Sequence, residues 1–303
     1  MQIGIDLGGT KIEAAALDAG GAFRARRRIA TPAGDYVGTI AAITGLVAAL
    51  ESEIGASATV GIGIPGTIVA ATGLVKNANS TWLIGRPLGR DIEAALGRSV
   101  RFANDADCFA LSEAIDGSGA GFGTVFGVIL GTGVGGGITV GGRLLAGANA
   151  IVGEWGHNPL PAPLPEELPG PACYCGRSGC IETFLSGPGL AADHHRHTGR
   201  ALSGPEIAAG ADAGDPDSQA TLDRYADRLA RALAVVINIV DPHAIVLGGG
   251  LSALGCLYDE VPRRWGRYVF TDTVATRLLP PRHGDASGVR GAAWLWPPAD
   301  EPR

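Results

Sequence analysis

Residues 2–18 read QIGIDLGGTKIEAAALD: an apolar run closing at Ile5, the turn Asp6-Leu7-Gly8-Gly9-Thr10-Lys11, and a second apolar run from Ile12 to Leu17. Two short β-type runs around a glycine pair predict a strand, a tight turn and a return strand. The turn holds more glycine than a hairpin needs, so its backbone is expected to pass close to a ligand. The pattern recurs at 124–140, TVFGVILGTGVGGGITV. Here Thr124–Leu130 is predicted as a strand, 131–137 as a glycine turn and Ile138–Val140 as the start of a return strand. A repeat at about 120 residues predicts two related domains facing each other across a cleft, each offering one glycine loop.

Working outward, apolar residues at helical spacing (Ile40, Ile43, Leu46, Val47, Leu50) predict a helix over Gly38–Glu53, and Val60–Ile64 is a β-branched strand ending at Pro65-Gly66. A polar loop at 76–82, a helix around Asp91–Leu96, a strand near Val100–Ala103 and a helix opened by Asn104-Asp105-Ala106 follow. The second half holds a Pro-rich loop from Pro159 to Pro171 and a long helix from about Ser218 to Val240, stopped by Asp241-Pro242. Ala244–Leu247 is a strand entering Gly248-Gly249-Gly250, and Gly291–Trp296 is a terminal helix whose tryptophans fill core. Alternating strands and helices define an α/β class. The expected domains are 1–116, joined by a C-terminal helix at 291–303, and 117–290.

Composition narrows the function. With 46% hydrophobic and 18% charged residues, the 303-residue chain is an ordinary packed protein. A net charge of −6 argues against capture of nucleic acid, and the Arg26-Arg27-Arg28 triplet reads as a solvated strand edge. No uninterrupted apolar run reaches the ~18 residues of a membrane span, and Asp6 falls too early for a leader. A cytoplasmic protein without membrane contact is expected. Three of the five cysteines crowd into 173–180, which fits a local metal site better than a disulfide framework.

Glycine loops after strands present backbone N–H groups to phosphate oxygens. Three are predicted here. None has the spacing of a P-loop, and none is a G-x-G-x-x-G opening a helix, which sets the chain apart from P-loop kinases and dinucleotide-binding dehydrogenases.

Ile5 to Lys11, Gly131-Thr132-Gly133 and Gly248-Gly249-Gly250 together resemble the two phosphate loops and the adenosine loop of the actin-like ATPase (ribonuclease H-like) and sugar kinase superfamily. Within it, Gly153-Glu154-Trp155-Gly156-His157 and the run from Cys173 to Glu182 resemble the signature of the ROK family. The resemblance runs from Met1 to about Trp296, and the segments 76–82 and 283–296 resemble its bacterial fructokinase branch, which also handles mannose. It implies ATP-dependent phosphorylation of a hexose, first D-fructose to fructose 6-phosphate, with mannose as second substrate. Glucose or an N-acetylhexosamine is the alternative, as is a sugar-sensing regulator; for the latter, the first strand at Gln2 leaves no room for a helix-turn-helix module.

The resemblance also implies roles. Asp105 would accept the proton of the attacking hydroxyl, although on its own it reads first as a helix N-cap. Glu154, His157 and Glu182 would line the sugar pocket with Asn104, and Gly66 would bring backbone close; Asn79 is a further contact, with Asn77 equally placed by sequence. Asp6 would order Mg²⁺ or orient the first loop. Gly8, Gly9, Thr10, Lys11, Gly131, Thr132, Gly133, Gly248 and Gly249 would hold ATP. His157, Cys173, Cys175 and Cys180 make a Cys3His set suited to structural Zn²⁺, with no position left for a reacting water. His194, His195 and His197 read as a solvated helix. A homodimer is the implied assembly.

Overall fold

The computed structural model describes residues 1–78 and 80–297. In chain order the first elements are β1 (Gln2–Leu7), β2 (Lys11–Leu17), β3 (Phe23–Ala30), α1 (Tyr36–Ile54), β4 (Thr59–Ile64), β5 (Thr67–Ile68), β6 (Val75–Lys76), α2 (Leu88–Leu96), β7 (Val100–Asn104) and α3 (Asp105–Ile115). They are followed by β8 (Thr124–Leu130), β9 (Val134–Val140), β10 (Arg143–Leu144), α4 (Ile181–Leu185), α5 (Gly187–Thr198), α6 (Gly204–Asp212), α7 (Pro216–Val240), β11 (Ala244–Gly248), α8 (Leu257–Trp265), β12 (Arg277–Leu279) and α9 (Ser287–Trp294). Packing divides the chain into two compact units. The first comprises Met1–Gly121, Gly137–Val152 and the chain from His283 onward; the second comprises Phe122–Gly136 and Gly153–Arg282.

Both sheets share one connectivity. The first runs β3-β2-β1-β4-β7 and the second β10-β9-β8-β11-β12, so in each the opening strand is central, followed outward on one side by its hairpin partner and on the other by parallel strands. The repeat seen in the sequence is therefore a repeat of topology, and the chain has the actin-like ATPase fold.

In the first unit Ile3, Ile5, Val60 and Ile62 are fully buried in the same core as Ile43, Val47 and Leu50 of α1. Full burial of each such side chain is worth about 1.5–3 kcal/mol. The alternate positions are glycines for a steric reason: a Cβ on Gly4 would overlap the Val289 carbonyl of α9, and one on Gly61 the Ala292 carbonyl. α9 thus rests on bare backbone of β1 and β4, and a Cβ at Gly291 would strike Cys108 of α3. Trp294 is buried, while Trp296 is half-buried, donates Nε1–H to the Val60 carbonyl at 2.7 Å and lies under the Arg101 guanidinium. The remainder of the expected helix, 298–303, lies outside the described residues. By length and composition α1 could cross a membrane, but its Ile43, Leu46, Val47 and Leu50 are spent on this core.

Several expectations are corrected. The glycine turn at 131–137 ends by Gly133, because β9 begins at Val134. Gly136 and Gly137 sit inside the strand: a Cβ at Gly136 would meet the Phe126 ring at 2.7 Å, and one at Gly137 the Asp107 Cα at 2.8 Å. The arginine triplet is not merely solvated. Glu13 is buried, and Arg26 and Arg28 from neighbouring β3 both pair with its carboxylate. His194 is buried too, because α5 packs on α7, and its Nδ1 lies 3.0 Å from Thr221 Oγ1. The long helix starts at Pro216, whose ring is preset for the first helical position, with Asp215 as N-cap accepting the Ser218 N–H.

The Pro-rich segment is anchored from within. Glu167 is buried and accepts Arg228 Nε at 2.7 Å and both Arg231 terminal nitrogens at 2.8 Å, while Arg228 also reaches Asp193 at 2.8 Å. Burial alone would raise the Glu167 carboxyl, but Arg231 and Arg228 overcome it and hold it at about 2. Removing one partner strands buried cations, so Glu167→Ala is expected to cost about 3–5 kcal/mol in urea unfolding at pH 7. Because the folded pKa is depressed, the wild-type advantage is present above the ordinary carboxyl value of 4.5 and lost as pH falls towards about 2. A loss under 1 kcal/mol at pH 7 would count against the network.

Candidate active site

β1 and β7 flank β4 in one parallel run, and their C-terminal ends deliver two carboxylates, Asp6 and Asp105. The N-cap of α3 is Asn104, whose Oδ1 accepts the Ala106 N–H at 2.9 Å while its Nδ2 donates to the Gly66 carbonyl at 3.0 Å. Asp105 is therefore the first residue inside the helix, relieved of the cap. Its Oδ1 also accepts the Ala106 N–H, at 2.8 Å, and its side chain stays accessible. Poor solvation in this concave setting pushes its carboxyl up, against hydrogen bonds from Ala106 and Asn104 that lower it. Asp6 is raised to about 6, by desolvation first and then by Asp105 and by Glu13, its cross-strand neighbour. Two neighbouring carboxyls whose charged forms are both disfavoured, chiefly by desolvation, have the donor chemistry of a divalent-cation and proton-accepting site.

The first glycine loop closes with Gly8 N–H donating to the Lys11 carbonyl at 3.0 Å, and Thr31 fastens it through a hydroxyl donated to the Gly8 carbonyl at 2.7 Å. Gly9, Thr10 and Lys11 are left exposed. Gly66 has φ 77°, and a Cβ there would overlap the Lys76 carbonyl, so the chain leaving β6 at 76–78 packs where only glycine fits. Asn77 is exposed with φ 56°; Asn79 lies outside the described residues. The same unit holds a recess of about 240 Å³ whose walls are apolar at Ile64, Ile68, Phe102, Leu144 and Val152 and polar at Thr67, Asn104 and Asp107. Sequence reasoning had no signal for it, since its walls come from separate segments.

In the second unit β8 and β11 are parallel neighbours, which brings two glycine loops side by side. Gly249 has φ 78° and a Cβ there would meet the Leu130 carbonyl at 2.5 Å, so the third loop lies against the strand leading into the second. The second loop is braced by Gly131 N–H to the Gly133 carbonyl at 3.0 Å and by Gly187 N–H to the Gly131 carbonyl at 2.7 Å. Glu182, in the first turn of α4, accepts the Val134 N–H at 2.9 Å and so ties a predicted sugar ligand to a predicted phosphate loop. The 154–157 segment is pinned by Trp155, edge-on to Phe126 and donating Nε1–H to the Gly135 carbonyl at 3.0 Å.

His157, Cys173, Cys175 and Cys180 converge, with their ligand atoms all within 4.8 Å of one another. Cys173 Sγ is 3.5 Å from His157 Nδ1, and Cys175 Sγ is 3.6 Å from Cys180 Sγ. Tetrahedral zinc with Zn–S near ~2.3 Å needs sulfurs ~3.8 Å apart, so the set fits such an ion. Hydrogen bonding from Arg177 pulls the Cys175 thiol down, which suits it to a cation. One residue was not singled out by its sequence: Tyr174, between two cluster cysteines, places its hydroxyl 2.9 Å from His157 Nε2.

Known proteins match along almost the whole chain. The profile of the ROK family matches residues 2–299. An N-acetyl-D-glucosamine kinase of Erwinia tasmaniensis is 42% identical over 299 residues, 97% of this chain and 99% of its own. A ROK hexokinase structure from Thermus thermophilus superposes with a TM-score of 0.85 at 32% identity, covering 96% of each chain. A ROK glucokinase of Streptomyces griseus, solved with glucose and AMPPNP, gives 0.76 at 29% identity over 97% of this chain and 98% of its own.

The raised Asp6 carboxyl makes its own prediction. A folded value of about 6 against 3.8 means ionisation costs stability as pH climbs through that window, and the cost stays constant above it. Asp6→Asn is expected to stabilise the chain by about 1–3 kcal/mol at pH 8, with the gain gone at pH 3.5. Urea unfolding at both pH values checks this, and a destabilised variant at pH 8 refutes it.

Proposed function

This chain belongs to the ROK family of sugar kinases, and we propose that it transfers the γ-phosphoryl group of ATP to the primary hydroxyl of N-acetyl-D-glucosamine. The observation that carries the phosphotransfer is Asp105: accessible, freed of the helix cap by Asn104, and with its carboxyl raised above the usual range by desolvation. Full-length likeness at 42% identity to an N-acetyl-D-glucosamine kinase carries the acceptor. It outweighs the short segments at 76–82 and 283–296 that pointed to fructose, and moves the reading to the N-acetylhexosamine alternative. The recess beside Asn104 supports an acylated sugar, since its mixed lining offers a methyl group apolar wall from Ile64, Ile68 and Phe102 and an amide polar partners in Thr67 and Asn104.

Asn104, Gly66, Glu154, His157 and Glu182 hold the sugar hydroxyls, each satisfying a polar group that would otherwise be stranded in a dry pocket. Asp105 takes the hydroxyl proton as the sugar oxygen bonds to the γ-phosphorus and the bond to ADP breaks. Backbone N–H groups of the loops at Gly8 to Lys11, Gly131 to Gly133 and Gly248-Gly249 orient the nucleotide, with Lys11 facing phosphate. Mg²⁺ near Asp6 supplies charge neutralisation on the transferring group. Zn²⁺ on His157, Cys173, Cys175 and Cys180 is structural and fixes the wall that carries His157 and Glu182. Homodimeric assembly and domains divided at 116/117 and 290/291 belong to the same reading and rest on family resemblance and the sequence repeat.

ADP release over N-acetylglucosamine, N-acetylmannosamine, glucose, mannose and fructose tests the acceptor. N-acetylglucosamine is expected to lead by at least about tenfold in kcat/KM, the range a pocket contact supplies; fructose in first place would reject it. Asp105→Asn is expected to keep the fold and sugar binding while kcat falls by about 10²–10⁴. Turnover within a few-fold of wild type would remove Asp105 as the base.

A further inference from the structure

We propose that Tyr174 is a built-in competitor of the sugar: its hydroxyl holds the His157 Nε2 position that a sugar hydroxyl must take. The proposal rests on the assignment of His157 to the sugar pocket given above. An imidazole offers one hydrogen-bonding position at each ring nitrogen. On His157 the Nδ1 side is committed, facing Cys173 Sγ at 3.5 Å inside the thiol cluster. Only Nε2 is left for a partner, and Tyr174 Oη occupies it at 2.9 Å with its ring edge-on to the imidazole at 5.1 Å between centroids. Whichever partner carries the proton, Tyr174 and a sugar hydroxyl cannot both have that nitrogen.

The tyrosine is placed to give way. It is 81% exposed, so nothing in the core holds its ring. Its neighbours Cys173 and Cys175 are fixed by the cluster, so the hinge is the tyrosine side chain itself. Phenol in water keeps its hydrogen bonds, and the displacement therefore costs one exposed hydrogen bond and little else. Sugar binding carries that cost, whereas the phosphoryl transfer that follows does not. Tyr174 thus sets the sugar affinity without touching the chemistry, and by filling Nε2 it keeps other hydroxyl-bearing solutes from settling there.

Tyr174→Phe keeps the ring and deletes the competitor. On the sugar that wild type turns over best, KM and the calorimetric Kd in the absence of ATP are both expected to fall by about 2- to 10-fold, the worth of one net hydrogen bond, with kcat within twofold of wild type. A hydroxyl that merely braces the loop would move these the other way, raising KM and Kd. An unchanged or raised Kd overturns the proposal. The acceptor assignment fails separately: a panel led by fructose or mannose rejects N-acetylglucosamine, while the Tyr174 comparison is made on the leading sugar.

Discussion

The repulsion between Asp6 and Asp105 is the constraint around which the first unit is arranged. Burial and the Asp105 carboxylate raise the Asp6 carboxyl, and Glu13, directly across from Asp6 on β2, adds to it. Three carboxylates in so small a space need cations. β3 supplies two of them, because the register sets Arg28 opposite Glu13 and brings Arg26 to the same carboxylate. The row Asp6, Glu13, Arg28 across three strands is a gradient: the far carboxylate is neutralised by protein, while Asp6 remains raised. What the protein leaves only partly compensated, through Lys11 and Arg28, is the end nearest Asp105.

The same economy explains the glycines. α9 could not lie on β1 and β4 if Gly4 and Gly61 carried side chains, and the opposite face of the sheet would then keep only α3, whose Cys108 lies against Gly63. Glycine at 131–133 and 248–250 serves another end, since these positions leave backbone N–H groups at the mouths of β8 and β11. In the sequence the two kinds look alike. The run at 131–137 mixes them, three residues of turn and then a strand whose Gly136 and Gly137 make room for Phe126 and Asp107. Periodicity places the strand and the loop but cannot say which glycine faces a ligand and which faces a neighbouring ring.

Much of the site was legible because its chemistry needs residues at fixed local spacing. The Cys-x-Cys step, the Asn104-Asp105 pair at a strand end and the paired glycine loops each lie within a few residues of chain, and the structure gathers the Cys3His set as a cluster. What could not be read depends on long-range packing. Glu13 with its arginines, Glu167 with Arg228 and Arg231, and His194 against Thr221 join residues 13 to 64 positions apart, and none has a local signature. Tyr174 is intermediate: its position between two ligand cysteines was visible, but its contact to His157 spans 16 residues of loop that only the fold closes.

Specificity falls on the far side of that line. The atoms that carry out phosphoryl transfer must be arranged in one way, so they recur as motifs. An acceptor's substituents are read by walls, and a wall can be built from any apolar residue of suitable volume. Ile64 ends β4, Ile68 belongs to β5, Phe102 to β7, Leu144 to β10 and Val152 to the loop beyond, so the apolar side chains of the recess beside Asn104 come from separate segments. Exchanging one of them for another aliphatic residue would change the space by a methylene while leaving every motif intact, and one methylene is worth only about 1–3 kcal/mol of discrimination. The motifs therefore identify a sugar kinase, whereas the walls of such a recess are built from residues whose individual identities carry little weight.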